Sequence, residues 1–374
     1  MPNPVPDIDT AAMRRGHSTK TKLNDMRFSK LMIVIAAGLM AITTTAQVVK
    51  DDRVPVHRPL IEEYTGTWCG WCVRGLVGLE LLRQRFGDEF IGVSYHNDDP
   101  MEIMYTNDYP NDFWGFPTAF IERTYEVDPY FGFVDAPGGI VSDIEQFATT
   151  DVIADAFVTA RWTSDEKTAI DVDVTSYFTI DAGAEYALEI MLIADDLHGS
   201  SASWNQENYY SGIDYYSSDP YLGPWVNKPE IVTDYHFNDV IVGTSGIVRG
   251  SLPDEIVAYN DYSFHYRFTL ASLPVPSLIQ NKDNLHVIAV IINKTNHHAV
   301  NANRCFISDY QTVVYGDVND DGKVNIDDIT DLISYLLSHD ETLINATNAD
   351  LDSDGRISID DVTTLINFLL SHPE

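Results

Sequence analysis

The spacing of apolar and polar positions changes twice along the chain, and each change marks a different kind of structure. From Pro59 to about Val152, RPLIEEYTG and FIGVSYHND read as buried strands and VGLELLRQRF has helical spacing; FPTAFIER is strand-like again and GGIVSDIEQFATT closes as a helix. This alternation predicts an α/β layer structure with right-handed crossovers. Beyond Ala154 the period falls to two. AFVTARWT, TAIDVDVTSYF, YALEIMLIADD, YSFHYRFTL and LHVIAVIINK, separated by Gly, Asp, Asn and Pro, predict an antiparallel β-sandwich. Helical spacing returns at the C-terminus: Ile329, Leu332, Ile333, Leu336 and Leu337 fall at i, i+3, i+4, i+7 and i+8, and Val362, Leu365, Ile366, Leu369 and Leu370 repeat the pattern.

Those two helices belong to a duplicated unit. Asp317 to His339 and Asp350 to His372 align at an offset of 33 with 13 of 23 positions identical, so one supersecondary unit occurs twice. Each copy opens on an acidic spacing. Asp317, Asn319, Asp321 and Asp328, and then Asp350, Asp352, Asp354 and Asp361, occupy positions 1, 3, 5 and 12 of a calcium loop, with Gly322 and Gly355 at position 6. Lys323 and Arg356 at position 7 contribute backbone carbonyls only. A hard cation takes six or more oxygens, so the pattern predicts two calcium ions and implies no organic cofactor.

Charge supports this. The formal net charge is -34 over 374 residues, which argues against phosphate-mediated nucleic-acid binding and favours metal ions or cationic partners. From Val314 onward there are 14 Asp or Glu against 2 Lys or Arg, so much of the acid is local to the repeat. The hydrophobic content of 44% and the chain length suit two or three domains, each with a core.

Arg27 and Lys30 precede an apolar run from Leu31 to Ile42, and TTA precedes Gln47, as in an export signal. The run is too short to span a bilayer as a helix. Met26 offers a second candidate start. The sequence therefore predicts an N-terminal extension and signal peptide at 1–46, an α/β domain at 51–153, a β-sandwich domain at 154–312 and a calcium module at 313–374. The expected location is exported: periplasmic, associated with the outer membrane, or secreted.

Cys69 and Cys72 lie between a strand signal and a helix signal. A zinc site needs further ligands, and Cys305, isolated in NANRCFI, reads as a small buried hydrophobe. A helix opening at the pair would direct unpaired amides at Cys69 and favour its thiolate, with Cys72 one turn on placed to resolve a mixed disulfide. A disulfide closing so short a loop removes little chain entropy and is a modest staple. Redox chemistry and a structural role both stay open. Residues 201–225 hold Trp204, Tyr209, Tyr210, Tyr215, Tyr216, Tyr221 and Trp225; this stretch reads either as a contact surface or as a long loop packing its own aromatics over the sandwich.

Three resemblances extend the reading. The duplicated loop-and-helix unit resembles a dockerin, which implies docking to a cohesin-like or other envelope partner; Ile326-Asp327 and Ile359-Asp360 at loop positions 10 and 11 differ from the hydroxyl-bearing pair of many cohesin-binding dockerins. TWCGWC, with Glu63 six residues before Cys69 and Phe116-Pro117-Thr118 45 residues after Cys72, resembles thioredoxin-like proteins. That likeness implies Cys69 as nucleophile, Cys72 as resolving thiol, Glu63 as proton acceptor and Pro117 as a cis substrate-docking turn, with protein clients or a redox partner. EEYTGTWCGWCVRG together with LHVIAVIINK and AVNAN is similar to a family of exported thioredoxin-fold outer-membrane proteins of Bacteroidetes. The resulting expectation is a thiol-disulfide oxidoreductase-like protein docked by its calcium module; the alternative is a non-enzymatic surface or scaffold-associated binding protein with a structural CxxC.

Overall fold

In the computed structural model, residues 53–103, 115–130, 139–310, 315–352 and 356–371 are described. The expected export signal at 1–46 and the expected ligand Asp354 lie outside these residues. Strand β1 (Leu60–Thr65) is buried along its whole length. It leads through a 3-10 turn at Gly70–Cys72 into helix α1 (Val73–Phe86), and the chain returns as β2 (Ile91–His96), parallel to β1 with Leu60 opposite Ile91. β3 (Thr118–Ile121) pairs antiparallel with the other edge of β1, β4 (Tyr125–Val127) pairs with β3, and α2 (Ile140–Ala148) follows.

The period-two segments form β5 (Ala154–Trp162), β6 (Ala169–Phe178) and β7 (Tyr186–Ala194). A long excursion contains β8 (Gln206–Glu207), the one-turn α3 (Gly223–Val226) and β9 (Ile231–Val232). Then come β10 (Val240–Val248), β11 (Tyr262–Thr269), β12 (Leu285–Asn293) and β13 (Ala299–Ser308). β7 and β12 are buried nearly throughout, as expected for strands covered on both faces.

The segments expected to form an antiparallel β-sandwich do pair antiparallel, as β5-β6-β11 and as β10-β7-β12-β13. They are not a separate sheet system: among the described residues the long strands join one mixed sheet of 11 strands in the order β11-β6-β5-β13-β12-β7-β10-β2-β1-β3-β4. The seam is the edge of β2, where Val240 pairs in parallel with Ser94 and the Ser94 amide donates to the Asp239 carbonyl at 2.7 Å. An edge strand left open would present unpaired amides and carbonyls, and β10 covers them. β5 meets β13 in parallel at Ile307 and Ser308, while Asn301 and Asn303 of β13 donate to the carbonyls of Ala154 and Ala156. One hydrophobic core runs through both regions.

A buried charge cluster adds to the join. Arg123 donates to both oxygens of Glu62 at 2.8 and 2.7 Å and to Glu189 on β7 at 2.9 Å, while Thr244 on β10 donates to Glu189 at 2.8 Å. Glu62, Arg123 and Glu189 are all buried, so removing one of them leaves charge desolvated and uncompensated.

The C-terminal segment has a second, smaller core of Val318, Leu332, Ala349, Val362 and Leu365. It is built from α4 (Ile326–Ser338), the single turn α5 (Ala346–Ala349) and α6 (Ile359–Ser371). The short α5, for which the sequence carried no helix signal, leads into the second loop and is capped by Asn345, whose side chain accepts from Thr347 and Asn348. Among the described residues, no helix is long and apolar enough to cross a membrane.

Candidate functional site

Cys69 and Cys72 are joined as a disulfide. Cys69 sits at the N-cap of the 3-10 turn, and the Cys72 amide donates to the Cys69 carbonyl at 3.0 Å, so the turn feeds directly into α1. Cys69 is 6% exposed and Cys72 is fully buried, so Cys69 is the more accessible of the two. Trp68 and Trp71 flank it, each well exposed.

Glu63 lies on the β1 segment behind this turn. A Cβ at Gly75 would meet Glu63 Oε1 at 1.6 Å, and Gly75 shares a helix face with Cys72 three positions earlier. Glycine thus makes room for the carboxyl one turn below Cys72. Glu63 is fully buried, Ser94 Oγ donates to its Oε2 at 3.4 Å, and its Oε1 has no hydrogen-bond partner. Burial pushes its pKa up to about 8, with the charge of Asp239 acting in the same direction and the Ser94 hydroxyl opposing. Pro117 follows a cis peptide bond from Phe116 and immediately precedes β3, and Phe116 packs edge-on to Trp68. Cys305 lies apart on β13, half-buried, with its thiol pushed up to about 12 by burial.

The aromatic-rich excursion packs over the Cys69–Cys72 turn. Gln206 Nε2 donates to the Cys69 carbonyl at 3.0 Å, the Tyr209 amide to the Gly70 carbonyl at 3.1 Å and the Glu207 amide to the Thr67 carbonyl at 2.8 Å. Tyr209 and Tyr210 both meet Trp71 edge-on, and farther along Tyr130 donates its hydroxyl to Asp219. The density of aromatics leaves open a contact surface or a loop packing its own aromatics; the polar residues that tie the excursion down, Gln206 and Asp219, carry no local signal. Beside Trp68 a cavity of about 390 Å³ is lined by residues including Thr67, Ser203, Asn205, Glu207 and Ile231.

The calcium loops are built locally. In the first, Asp317 accepts from the amides of Asp321 and Gly322, each at 2.9 Å, and Asp321 accepts from Lys323. Asp328 is buried; it accepts from Val318, Asn319 and Asn325 and closes a capping box with Asn325 at the start of α4. Gly322 has φ +83°, the conformation that favours glycine at position 6. In the second loop, Asp361 is buried and accepts from Leu351, Asp352 and Ser358 in the same way. Donor oxygens of Asp350, Asp352 and Asp361 lie within 4.8 Å of one another, a spacing that suits one cation. In the first loop Asp317, Asn319, Asp321 and Asp328 hold the corresponding positions of the sequence, and Lys323 and Arg356 would offer their carbonyls.

The two helix faces divide. Ile329, Leu332 and Leu336, and likewise Val362, Leu365 and Leu369, turn into the small core. Ile326, Ile333 and Leu337, and likewise Ile359, Ile366 and Leu370, stay exposed, Leu337 at 81% and Leu370 at 75%.

Residues 315–370 match the dockerin type I domain. Dockerin type I domains bind calcium and dock to cohesin partners, so calcium is the cofactor of this module and protein docking its role. No curated protein matches the chain. Among solved structures, HBP35 of Porphyromonas gingivalis is similar at 15% identity and a TM-score of 0.45, over 71% of this chain and 81% of that one. A protein from Agrobacterium tumefaciens is similar at 12% identity and 0.36, over 70% and 98%. A domain of the outer membrane lipoprotein Omp28 from Porphyromonas gingivalis is similar at 13% identity and 0.23, over 43% and 92%. Likeness at this level carries no activity or partner across.

Proposed function

We propose that this is an exported thioredoxin-like protein that exchanges disulfides through Cys69 and Cys72 while its dockerin holds it to a partner. The observation that carries the reading is Glu63: a buried carboxyl on the β1 strand, one helical turn below the fully buried Cys72, with a pKa near that of a useful proton acceptor. The strand order β2-β1-β3-β4 with α1 between the parallel pair also supports it. In the reduced protein the Cys69 thiolate attacks a client disulfide, forming one mixed disulfide and releasing one client thiolate. Cys72 gives its proton to Glu63 and attacks Cys69 Sγ; the second client sulfur leaves, so the client is reduced and the pair oxidised. A dithiol reductant restores the pair, and the reverse sequence passes the disulfide to a client dithiol. The cavity beside Trp68 offers room for a client side chain.

In this reading Cys72→Ser traps mixed disulfides with clients through Cys69, and Cys69→Ser traps few. Non-reducing gels after alkylation read the result. The cover formed by Gln206 and Tyr209 favours a second reading, in which the disulfide clasps the aromatic excursion in a binding protein. A pair that stays oxidised and traps nothing in either mutant would support that reading instead.

Docking rests on the two exposed stripes, which repeat Ile326, Ile333 and Leu337 as Ile359, Ile366 and Leu370. Apolar positions left outside a small core suit a partner surface. Leu337→Glu combined with Leu370→Glu is expected to weaken partner capture from envelope or culture fractions by more than about tenfold, since burying each leucine contributes about 1.5–3 kcal/mol, without loss of calcium. Equal capture by wild type and variant would place the docking surface elsewhere.

A further inference from the structure

The chain leaves β7 as Asp195-Asp196-Leu197-His198 and enters β10 through His236-Phe237-Asn238-Asp239. Beyond the ends of these paired strands the two segments remain side by side. Leu197 bridges Phe237 antiparallel, with reciprocal backbone hydrogen bonds of 2.9 and 2.8 Å. Successive side chains on an extended segment alternate faces. Leu197 and Phe237 therefore both turn into the core, and Asp196, His198 and His236 all turn out. That register puts His198 directly opposite His236, with Asp196 beside them on the same face.

The contacts agree with this placement. The two imidazoles stack at 4.3 Å between centroids with 24° between their planes. Asp196 Oδ1 lies 2.5 Å from His236 Nδ1. One ligand atom from each of Asp196, His198 and His236 falls within 4.8 Å of the other two. The frame is held from outside: Asn238 Oδ1 accepts from the Asp196 amide at 2.9 Å, and Gln280 both accepts from the His198 amide at 3.2 Å and donates to its carbonyl at 2.7 Å. His198 Nδ1 lies 3.0 Å from the Asp196 carbonyl. As a donor there it leaves Nε2 with a bare lone pair, the tautomer a metal requires.

We propose that Asp196, His198 and His236 form a binding site for a divalent transition-metal ion of the zinc class, separate from the calcium loops. Two imidazoles and one carboxylate suit zinc and its neighbours, whereas calcium takes sets of oxygens. The ion would separate the stacked rings and replace the hydrogen bond between Asp196 and His236. Both of those side chains are about half exposed, His236 at 49% and Asp196 at 53%, so they can adjust to it. Three protein ligands leave a fourth position for water or for a donor from another molecule.

The test is a titration of the full chain, with Cys69–Cys72 oxidised and calcium saturating, using Zn²⁺ for calorimetry and Co²⁺ for visible spectra. One ion per chain is expected, with a spectrum of nitrogen and oxygen ligands, undiminished by calcium. His198→Ala with His236→Ala should weaken binding roughly 100-fold or more, the upper end of what loss of even an outer-shell partner costs. His297→Ala should leave it unchanged. If the double variant fails to fold, Asp196→Asn provides the same readout in an isosteric side chain, with an expected loss of at least about tenfold. Absence of binding, competition by calcium, or equal affinity in the wild type and these variants would overturn the assignment.

Discussion

Chelation of calcium is expected to unfold residues 315–371 while the 11-stranded sheet persists. Among the described residues the module's own core has five buried apolar side chains, with partly buried ones such as Ile329 and Leu369 packed around them, too few to stabilise a segment of this size alone. Asp317, Asp328 and Asp361 are nevertheless buried, and Asp361 lies beside Asp350 and Asp352. Without a cation these groups repel one another and hold desolvated charge. Binding is thereby coupled to folding. An ion present at about 1,000 times its dissociation constant stabilises by about 4 kcal/mol, so EGTA should reduce amide-exchange protection in α4 and α6 by about 1,000-fold. Asp321→Ala should remove one of two ions in calorimetry and Asp361→Ala the other. Unchanged exchange after chelation, with no heat of calcium binding, would defeat the assignment.

The second large effect is expected at Glu63. Its pKa near 8 in the folded protein stands well above the ordinary 4.5, so between these values the folded state keeps a proton that the unfolded chain has lost. Stability therefore falls as pH rises through that window, by an amount on the order of 5 kcal/mol in total. Asp239, pushed up to about 6 by burial, contributes to the lower part of the same slope, and His57, lowered by burial but raised on balance by Glu122, contributes within it, so the difference between wild type and Glu63→Gln isolates Glu63. Glu63→Gln keeps the shape and removes the titration. Denaturant unfolding at a series of pH values should show the variant gaining stability relative to wild type as pH approaches 8, with a flatter profile. In the exchange reaction, resolution by Cys72 should slow and lose its rise with pH toward 8, while the first attack by Cys69 changes little. A parallel pH profile for stability in the two proteins would show that Glu63 does not titrate in this window. Unchanged resolution alone would count only against its role in exchange.

What the sequence determined by itself is whatever is encoded within one turn or one loop. The expected calcium ligands of each loop lie within a dozen residues of one another, so spacing alone marks Asp317, Asn319, Asp321 and Asp328 as candidates, and the duplication from Asp350 repeats it. The strand, turn and helix around Cys69 and Cys72 were legible for the same reason. Helical spacing also identified ten apolar positions on α4 and α6, but only the packed module separates Leu332 and Leu365, which face the core, from Leu337 and Leu370, which face outward. Tertiary structure alone decided the contacts between distant segments. β10, with Gly243 and Gly246 and irregular pairing to β7, lacks a clean period of two, yet it closes the edge of β2 and turns an expected separate sandwich into one sheet. Gln206 reaches Cys69 across 137 residues, and His198 meets His236 because Leu197 and Phe237 share a bridge. Such pairings depend on which strand edges and apolar faces find each other in the folded chain, and no local periodicity carries that information.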